Sequence, residues 1–136
     1  MSIEVNIGLV LPALPGYSET FINNKIKGLV NHGFKVSLFV SGKGDSESVN
    51  IPVPIYYQVN IKYKFNLLIR LISIFILHPL KCFRFLRLEI RSHDDSRKAI
   101  KNLIINSHII GKCLDWIHFC FATTSLGREN LAWAMR

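Results

Sequence analysis

The sequence contains few cysteines and few charged residues. Its 136 residues include three cysteines, Cys82, Cys113 and Cys120, which are an odd number of widely spaced thiols. This pattern indicates neither a disulfide framework nor a zinc knuckle, and it favours a reducing, cytoplasmic compartment. Charged residues make up only 19% of the chain and apolar residues 49%, which excludes intrinsic disorder. We expect one modest domain from a chain of this length.

Targeting signals and long apolar runs are also lacking. No basic stretch precedes the first apolar run, Val5–Leu11, which ends at Pro12, whereas a secretory leader needs a positive start and a longer apolar core. Leu67–Leu77 is densely apolar, but it has only 11 residues and contains Arg70, whereas a bilayer crossing needs ~20 residues. We therefore expect a strand at the first run and a buried or interfacial helix at the second.

Strand-like and helix-like patterns alternate over the first 40 residues. Val5–Leu11 and Phe34–Val40 are apolar runs of strand length, typical of strands that are buried on both faces of a parallel sheet. Between them, apolar residues recur at helical spacing after Ser18, a suitable N-cap, and Phe21 is expected to be in the core. Gly33 ends this helical pattern with a residue that tolerates a left-handed conformation. The three elements form a predicted βαβ unit.

The rest of the chain continues the alternation. Pro52 and Pro54 precede a short third strand at Ile55–Val59, and prolines beside a strand favour an edge position. Further elements are predicted as helices over Leu67–Leu77, Leu80–Arg91 and Ser96–Leu114, a strand over Asp115–Phe121, and a helix beginning near Thr123–Ser125. We predict an α/β fold with a Rossmann-like, three-layer parallel sheet.

Positive charge is concentrated in residues 61–91, which hold seven basic residues and one acidic residue and so carry +6 of the total net charge of +8. Four of these cations recur at spacings of three, three and four residues, on one face of a predicted helix: Lys81, Arg84, Arg87 and Arg91. Opposite an aromatic and aliphatic face, such cations suit an anionic membrane surface, where each contributes about 1 kcal/mol. An ordinary solvated helix has the same pattern. Nucleic acid is not an expected partner, because aromatics for base stacking and a reader motif are missing.

The most specific motif follows the first strand. It reads Pro15-Gly16-Tyr17-Ser18-Glu19-Thr20-Phe21-Ile22, followed by Gly28-Leu29 and by the turn Gly33-Phe34-Lys35-Val36. Near the other end of the sequence stands Asp115-Trp116-Ile117-His118-Phe119-Cys120-Phe121-Ala122. Both stretches resemble glycosyltransferase family four, in particular its bacterial colanic-acid and exopolysaccharide branch. Two departures are that Phe34 and Cys120 stand where the family pattern has histidine.

The resemblance implies a GT-B architecture, in which two Rossmann-like domains face each other and transfer a sugar from a nucleotide sugar without a metal or other cofactor. Residues 1–136 would be part of the N-terminal, acceptor-side domain, with a basic amphipathic helical insert at about 61–91 and without the C-terminal donor-binding domain. The implied acceptor is a saccharide or a lipid-linked saccharide of surface polysaccharide biosynthesis. We expect peripheral attachment to the inner face of the cell membrane, and no transfer activity from this chain alone.

Candidate site residues lie in both motifs. A loop that feeds a helix start offers backbone N–H groups and a positive dipole end to a diphosphate, which points to substrate binding at Gly16, Tyr17, Ser18, Glu19 and Thr20. The resemblance implies a catalytic position for His118 and for Cys120, which occupies the place of the family's second histidine. Residues two apart share a strand face, so both can approach one cleft. A thiol does not reproduce the hydrogen bonding of imidazole, and a buried, inert cysteine is the alternative.

Other functions are compatible with the same sequence. One alternative is a non-enzymatic module that binds anionic lipid through residues 61–91. A small, flavodoxin-like nucleotide-binding protein is a third reading of the α/β pattern. In these readings Ser18 caps its helix and Glu19 complements the helix dipole, without any contact to a substrate.

Overall fold

The chain folds into two compact units, each described here from a computed structural model that covers residues 4–14, 20–42, 51–58, 62–93, 95–121, 125 and 128–135. Residues 1–57 and 113–124 belong to the first, which we call the sheet unit. Residues 58–112 and 125–136 belong to the second, which we call the helical unit.

The sheet unit contains four strands and one helix among the described residues. The strands are β1 (Asn6–Leu11), β2 (Lys35–Val40), β3 (Ile55–Tyr57) and β4 (Trp116–Phe119), and the helix is α1 (Thr20–Asn31). The helical unit contains α2 (Lys64–Leu77), α3 (Pro79–His93), α4 (Ser96–Ile110) and α5 (Leu131–Met135). The predicted α/β class is therefore confirmed.

The four strands form one sheet in the order β3-β2-β1-β4, and every pairing is parallel. This topology is consistent with the predicted Rossmann-like fold, and it places β3 at an edge, as predicted. Leu9 of β1 pairs with Leu38 of β2 on one side and with His118 of β4 on the other. At the amino ends of β1 and β4, the backbone N–H of Asn6 donates to the carboxylate of Asp115 over 2.8 Å.

Helix α1 packs its apolar stripe against one face of this sheet. Ile22 and Ile26 are buried in a cluster with the inward side chains of two strands, which are Leu9, Leu11, Val36, Leu38 and Val40. The helix is followed by Gly33 at φ 83°, a conformation that glycine adopts readily, as expected from the sequence. Phe21 was expected in the core, but 59% of its surface is exposed, because it lies about 100° around the helix from Ile22.

Buried polar side chains join the helices of the helical unit. The carboxylate of Glu89 on α3 is fully buried and accepts hydrogen bonds from the side-chain amides of Asn102, over 2.7 Å, and Asn130, over 2.9 Å. Arg128 is 6% exposed, and its Nε donates to the side-chain oxygen of Asn106 over 2.9 Å. This network links α3 and α4 to the segment that leads into α5.

Element ends differ from the sequence prediction by a few residues. Helix α4 begins after Asp95, whose side chain accepts from the backbone N–H groups of Arg97 and Lys98 over 2.9 and 3.4 Å. It ends at Ile110 rather than near Leu114, because the chain turns at residues 111–115 before β4. Most of the segment in which a last helix was expected to begin lies outside the described residues, and α5 is the helix that follows it.

Gly8 in the middle of β1 leaves no room for a side chain. A Cβ atom there would stand 2.7 Å from Cδ1 of Leu114 and 3.0 Å from Cε2 of Phe39. Phe39 is fully buried, so its ring has little freedom to withdraw. A side chain at residue 8 would therefore force Leu114 or Phe39 to shift.

We expect Gly8→Ala to lower the free energy of unfolding by about 1–3 kcal/mol, because the added methyl group overpacks the sheet. The matched control is Gly28→Ala on α1, where an added Cβ meets no atom within 4 Å. That change should raise the free energy of unfolding by roughly 0.5–1 kcal/mol, since alanine is the better helix former. Urea unfolding of both variants tests the difference, and equal effects would contradict the packing at Gly8.

Candidate functional site

The carboxyl ends of the strands are the natural place for a ligand in this sheet. The chain runs outward from β1 through β2 to β3 and returns on the other side of β1 with β4, so the strand order reverses between β1 and β4. In open parallel sheets, ligands bind at such a reversal, outside the carboxyl ends of the strands. After β4, the backbone N–H of Cys120 still donates to the Val10 carbonyl over 3.1 Å, so the two strand ends stay side by side.

His118 lies in β4 near this end and contacts α1. Its Nε2 atom is 2.8 Å from Nζ of Lys25. An ammonium group donates and cannot accept, so Nε2 is the acceptor and the proton of a neutral imidazole is on Nδ1. Partial burial lowers the pKa of His118, and the positive charge of Lys25 lowers it further. The imidazole therefore stays neutral at lower pH than an ordinary histidine.

Cys120 follows β4 directly, two residues after His118, and lies on the side of the sheet that faces α1. It is half-buried and packs against the apolar cluster between α1 and the sheet. Burial raises the pKa of the Cys120 thiol, while the charge of Lys25 opposes this shift without reversing it. Because the reactive form of cysteine is the thiolate, this environment favours a protonated, unreactive thiol.

The start of α1 lies against the end of β4. The rings of Phe21 and Phe121 meet edge to face, with their centroids 6.4 Å apart. One turn later on the same side of α1, Lys25 contacts His118. Thr20, the first residue of α1, is exposed, whereas the predicted substrate-binding residues Gly16, Tyr17, Ser18 and Glu19 lie outside the described residues. The described part of the two sequence motifs therefore meets at one edge of the sheet.

Lys25 is the residue that the sequence analysis did not single out. It belongs to the polar positions of α1, but it is one turn after Phe21 and next to the buried Ile26. Phe21 and Lys25, four residues apart, flank the apolar stripe on the side that contacts β4. The spacing is visible in the sequence, but the pairing with a strand 93 residues away is not.

No three histidine, cysteine or acidic side chains of the described residues come together in an arrangement that could hold a metal ion.

The predicted membrane-binding cations lie on α3 of the helical unit. Arg84, Arg87 and Arg91 are exposed, whereas Lys81 is half-buried and its Nζ donates to the carbonyl of Lys112 over 3.4 Å. The inward face of α3 carries Cys82, Phe85 and Glu89, all of which are fully buried. Three arginines are therefore available to a partner, and Lys81 is partly engaged within the unit.

One expectation for α3 is wrong. The aromatic and aliphatic side chains of this helix were expected on the face opposite the cations, but two of them, Phe83 and Ile90, are 74% and 42% exposed and line a shallow groove together with Arg87 and Arg91. Phe83, Arg87 and Ile90 follow the spacing i, i+4, i+7, which brings them to one side of a helix. The outward face of α3 is thus mixed, with apolar side chains beside the arginines.

Helix α2 also exposes apolar side chains. Those with about half or more of their surface exposed are Phe65, Leu68, Ile69, Ile72, Ile76 and Leu77. Within the described residues, no helix taken singly has both the length and the hydrophobicity to cross a membrane. Residues Phe65–Leu77 and Pro79–Ser92 meet both criteria only as a pair, with a bend of 111° between them.

Comparison of the chain with protein-family models, with curated proteins and with solved structures gives no match. The resemblance to glycosyltransferase family four therefore rests on the two sequence motifs alone.

We expect Lys25→Met to raise the pKa of His118 towards its ordinary value, because the change removes a nearby positive charge. Protonation of His118 below its pKa removes the acceptor for Lys25, so acidification breaks this contact in the wild-type protein. A titration that follows the imidazole signals by NMR measures both effects.

The control variant is Lys27→Met, which removes an exposed lysine from the same helix. The pKa of His118 should be the same in this variant as in the wild type. An unchanged pKa in Lys25→Met would mean that the two side chains do not meet in solution.

Proposed function

We propose that this chain is the acceptor-side domain of a metal-free glycosyltransferase that uses a nucleotide sugar as donor. The observation that carries the proposal is the meeting of the two motifs at the strand-order reversal, where Lys25 and Phe21 of α1 contact His118 and Phe121. Parallel α/β sheets bind ligands at this position. The sequence resemblance supplies the class of reaction, and the sheet topology supports the place of the site.

The contacts of His118 define its part in the proposed function. Nε2 of His118 accepts a hydrogen bond from Lys25, so the ring has its Nδ1–H left as a hydrogen-bond donor. A donor of this kind suits a sugar hydroxyl or a phosphate oxygen, and the Lys25 ammonium adds a positive charge beside it. We assign His118 to binding and orientation of the substrate, because a base would need the lone pair that Lys25 already engages.

Cys120 has a more limited role in the proposed site. Its thiol is a weak hydrogen-bond donor and stays protonated, so it contributes shape and apolar contact beside the substrate. The backbone N–H groups at the start of α1 would contact the charged part of a diphosphate-bearing ligand.

The exposed side chains of α2 and α3 support a second element of the proposal, which is attachment to an anionic membrane surface. An interfacial helix places apolar side chains among the lipid acyl chains and basic side chains at the level of the headgroups. If only this attachment exists, the chain is a membrane-binding module without a sugar substrate.

An NMR titration tests the sugar site with three named probes: farnesyl-diphosphoglucose as a soluble analogue of a lipid-linked acceptor, UDP-glucose as a donor, and FMN. We expect the acceptor analogue to shift the imidazole signals of His118 and the amide signal of Thr20. His118→Ala should weaken its binding by roughly fivefold, as the loss of one hydrogen bond of about 1 kcal/mol implies.

Trp116→Ala is the matched control, because Trp116 is an exposed aromatic residue on the same strand face but at the amino end of β4. It should bind the acceptor analogue like the wild type. Binding of FMN at His118 would instead support the flavodoxin-like alternative, and absence of any shift by the acceptor analogue would refute the proposed site.

Sedimentation with lipid vesicles tests the membrane attachment. We expect the chain to bind vesicles of phosphatidylcholine with phosphatidylserine, and the triple change of Arg84, Arg87 and Arg91 to glutamate to weaken binding by roughly 100-fold or more. This magnitude follows from about 1 kcal/mol for each cation at an anionic surface.

The control reverses three exposed cations of α4, Arg97, Lys98 and Lys101, and so introduces the same change of net charge. If this variant loses binding to the same extent as the α3 variant, the attraction is a property of the net charge and not of α3. Failure of the wild type to bind at low salt would exclude the attachment.

A further inference from the structure

A cavity with several polar side chains in its lining lies within the helical unit, near the bend between α2 and α3. Its volume is about 170 Å³. Arg70 of α2, His78 at the bend, Ser107 and His108 of α4, and Lys112 lie in its lining. The cavity is smaller than the roughly 300 Å³ at which pockets for whole small molecules begin. Its size suits one compact chemical group better than an entire sugar or nucleotide.

Ser107 is the feature of this cavity that points to a ligand. The residue is only 4% exposed, and its hydroxyl has no hydrogen-bond partner among the described residues. A serine in a helix commonly bonds to the carbonyl four residues earlier, as Ser73 does to the carbonyl of Ile69 over 2.8 Å. A buried hydroxyl without a hydrogen-bond partner lowers the free energy of unfolding by about 1–3 kcal/mol. A ligand that accepts a hydrogen bond from Ser107 would therefore bind favourably.

The charge of the lining points to an anion. None of the described residues that line the cavity is acidic, and Arg70 and Lys112 are both cationic. Burial lowers the pKa of His108 to about 4, and the charges of Arg128 and Arg70 act in the same direction. The imidazole is therefore neutral at physiological pH. Burial disfavours charge of either sign, but the contribution of Arg70 shows that a positive charge acts on this side of the cavity, where it would attract an anion.

One opposing contribution comes from the helix ends. Helix α4 ends at Ile110, and the carboxyl end of a helix carries partial negative charge. Lys81 partly offsets it by donating to the carbonyl of Lys112. The two full positive charges of Arg70 and Lys112 attract a phosphate-like anion more strongly than these partial charges repel it, and a guanidinium can also donate two parallel hydrogen bonds to it.

We propose that this cavity binds one phosphomonoester group, with Arg70 and Lys112 balancing its charge and the Ser107 hydroxyl donating to a phosphate oxygen. The chemistry is shared by a soluble phosphate and by the headgroup of phosphatidic acid. Leu77 and His78 also line the adjoining groove at the bend, where Leu80 is exposed, so acyl chains would find apolar surface beside the cavity. The proposal does not depend on sugar transfer.

NMR titrations at constant ionic strength test the proposal with inorganic phosphate and with soluble dihexanoyl phosphatidic acid. We expect the amide signals of Ser107 and of Gly111, which also lines the cavity, to shift with at least one of these probes. Arg70→Gln should raise the dissociation constant roughly tenfold or more, since hydrogen bonds to charged groups contribute about 1.5–3 kcal/mol. Ser107→Ala should raise it roughly fivefold.

Two controls keep the outcome interpretable. Arg97→Gln removes an exposed arginine from the start of α4 and should leave both titrations unchanged. Ser107→Ala also removes an unsatisfied buried hydroxyl, so it should unfold at a higher temperature than the wild type when no ligand is present. A misfolded variant would instead unfold at a lower temperature.

The two probes separate the possible sources of the phosphate. Shifts with inorganic phosphate, with or without shifts by phosphatidic acid, indicate a site for a soluble phosphate group, and shifts with phosphatidic acid alone indicate a lipid headgroup. Either result supports the cavity as a phosphate site. Unchanged Ser107 and Gly111 signals with both probes, or wild-type affinity in both Arg70→Gln and Ser107→Ala, would overturn it.

Discussion

The parallel pairing of β1 with β4 is the contact on which the sheet unit depends. It joins Asn6–Leu11 to Trp116–Phe119, strands that are separated by more than 100 residues along the chain. The hydrogen bond from Asn6 to the carboxylate of Asp115 sets the register at one end, and the bond from Cys120 to Val10 extends it at the other. Without this pairing, His118 would not meet Lys25 and the strand order would have no reversal. Because closing so long a loop costs conformational entropy, we expect β4 to join the sheet late in folding.

Most of the fold was predictable from local patterns. Residues close together in the sequence are enough to indicate β1, α1 and β2. The signals are the apolar runs of the two strands, the spacing of Ile22 and Ile26, and the glycine after the helix. Short periods of two and 3.6 residues are visible in a single chain, so the α/β class follows from them. Proline beside β3 was sufficient to indicate an edge position.

The site and the exposed surfaces were less predictable, because they depend on which elements meet. The exposure of Phe21 and the contact of Lys25 arise from the angle at which α1 passes β4. Helix α3 buries Cys82, Phe85 and Glu89. Glu89 is buried while nearby apolar residues are exposed, because its hydrogen-bond partners lie on α4 and just before α5. Helical periodicity identifies the possible faces of a helix, but packing decides which one is covered.

The buried carboxylate of Glu89 has a consequence for how this sequence can change over generations. Its two amide donors, Asn102 and Asn130, lose their acceptor if Glu89 alone is replaced, and a buried donor left without a partner costs about 1–3 kcal/mol. Simultaneous replacement of all partners by apolar residues of the same shape can be nearly neutral or stabilising. Each intermediate is therefore less stable than either end state, so substitutions in this cluster should be strongly epistatic and accumulate as coordinated sets in related lineages.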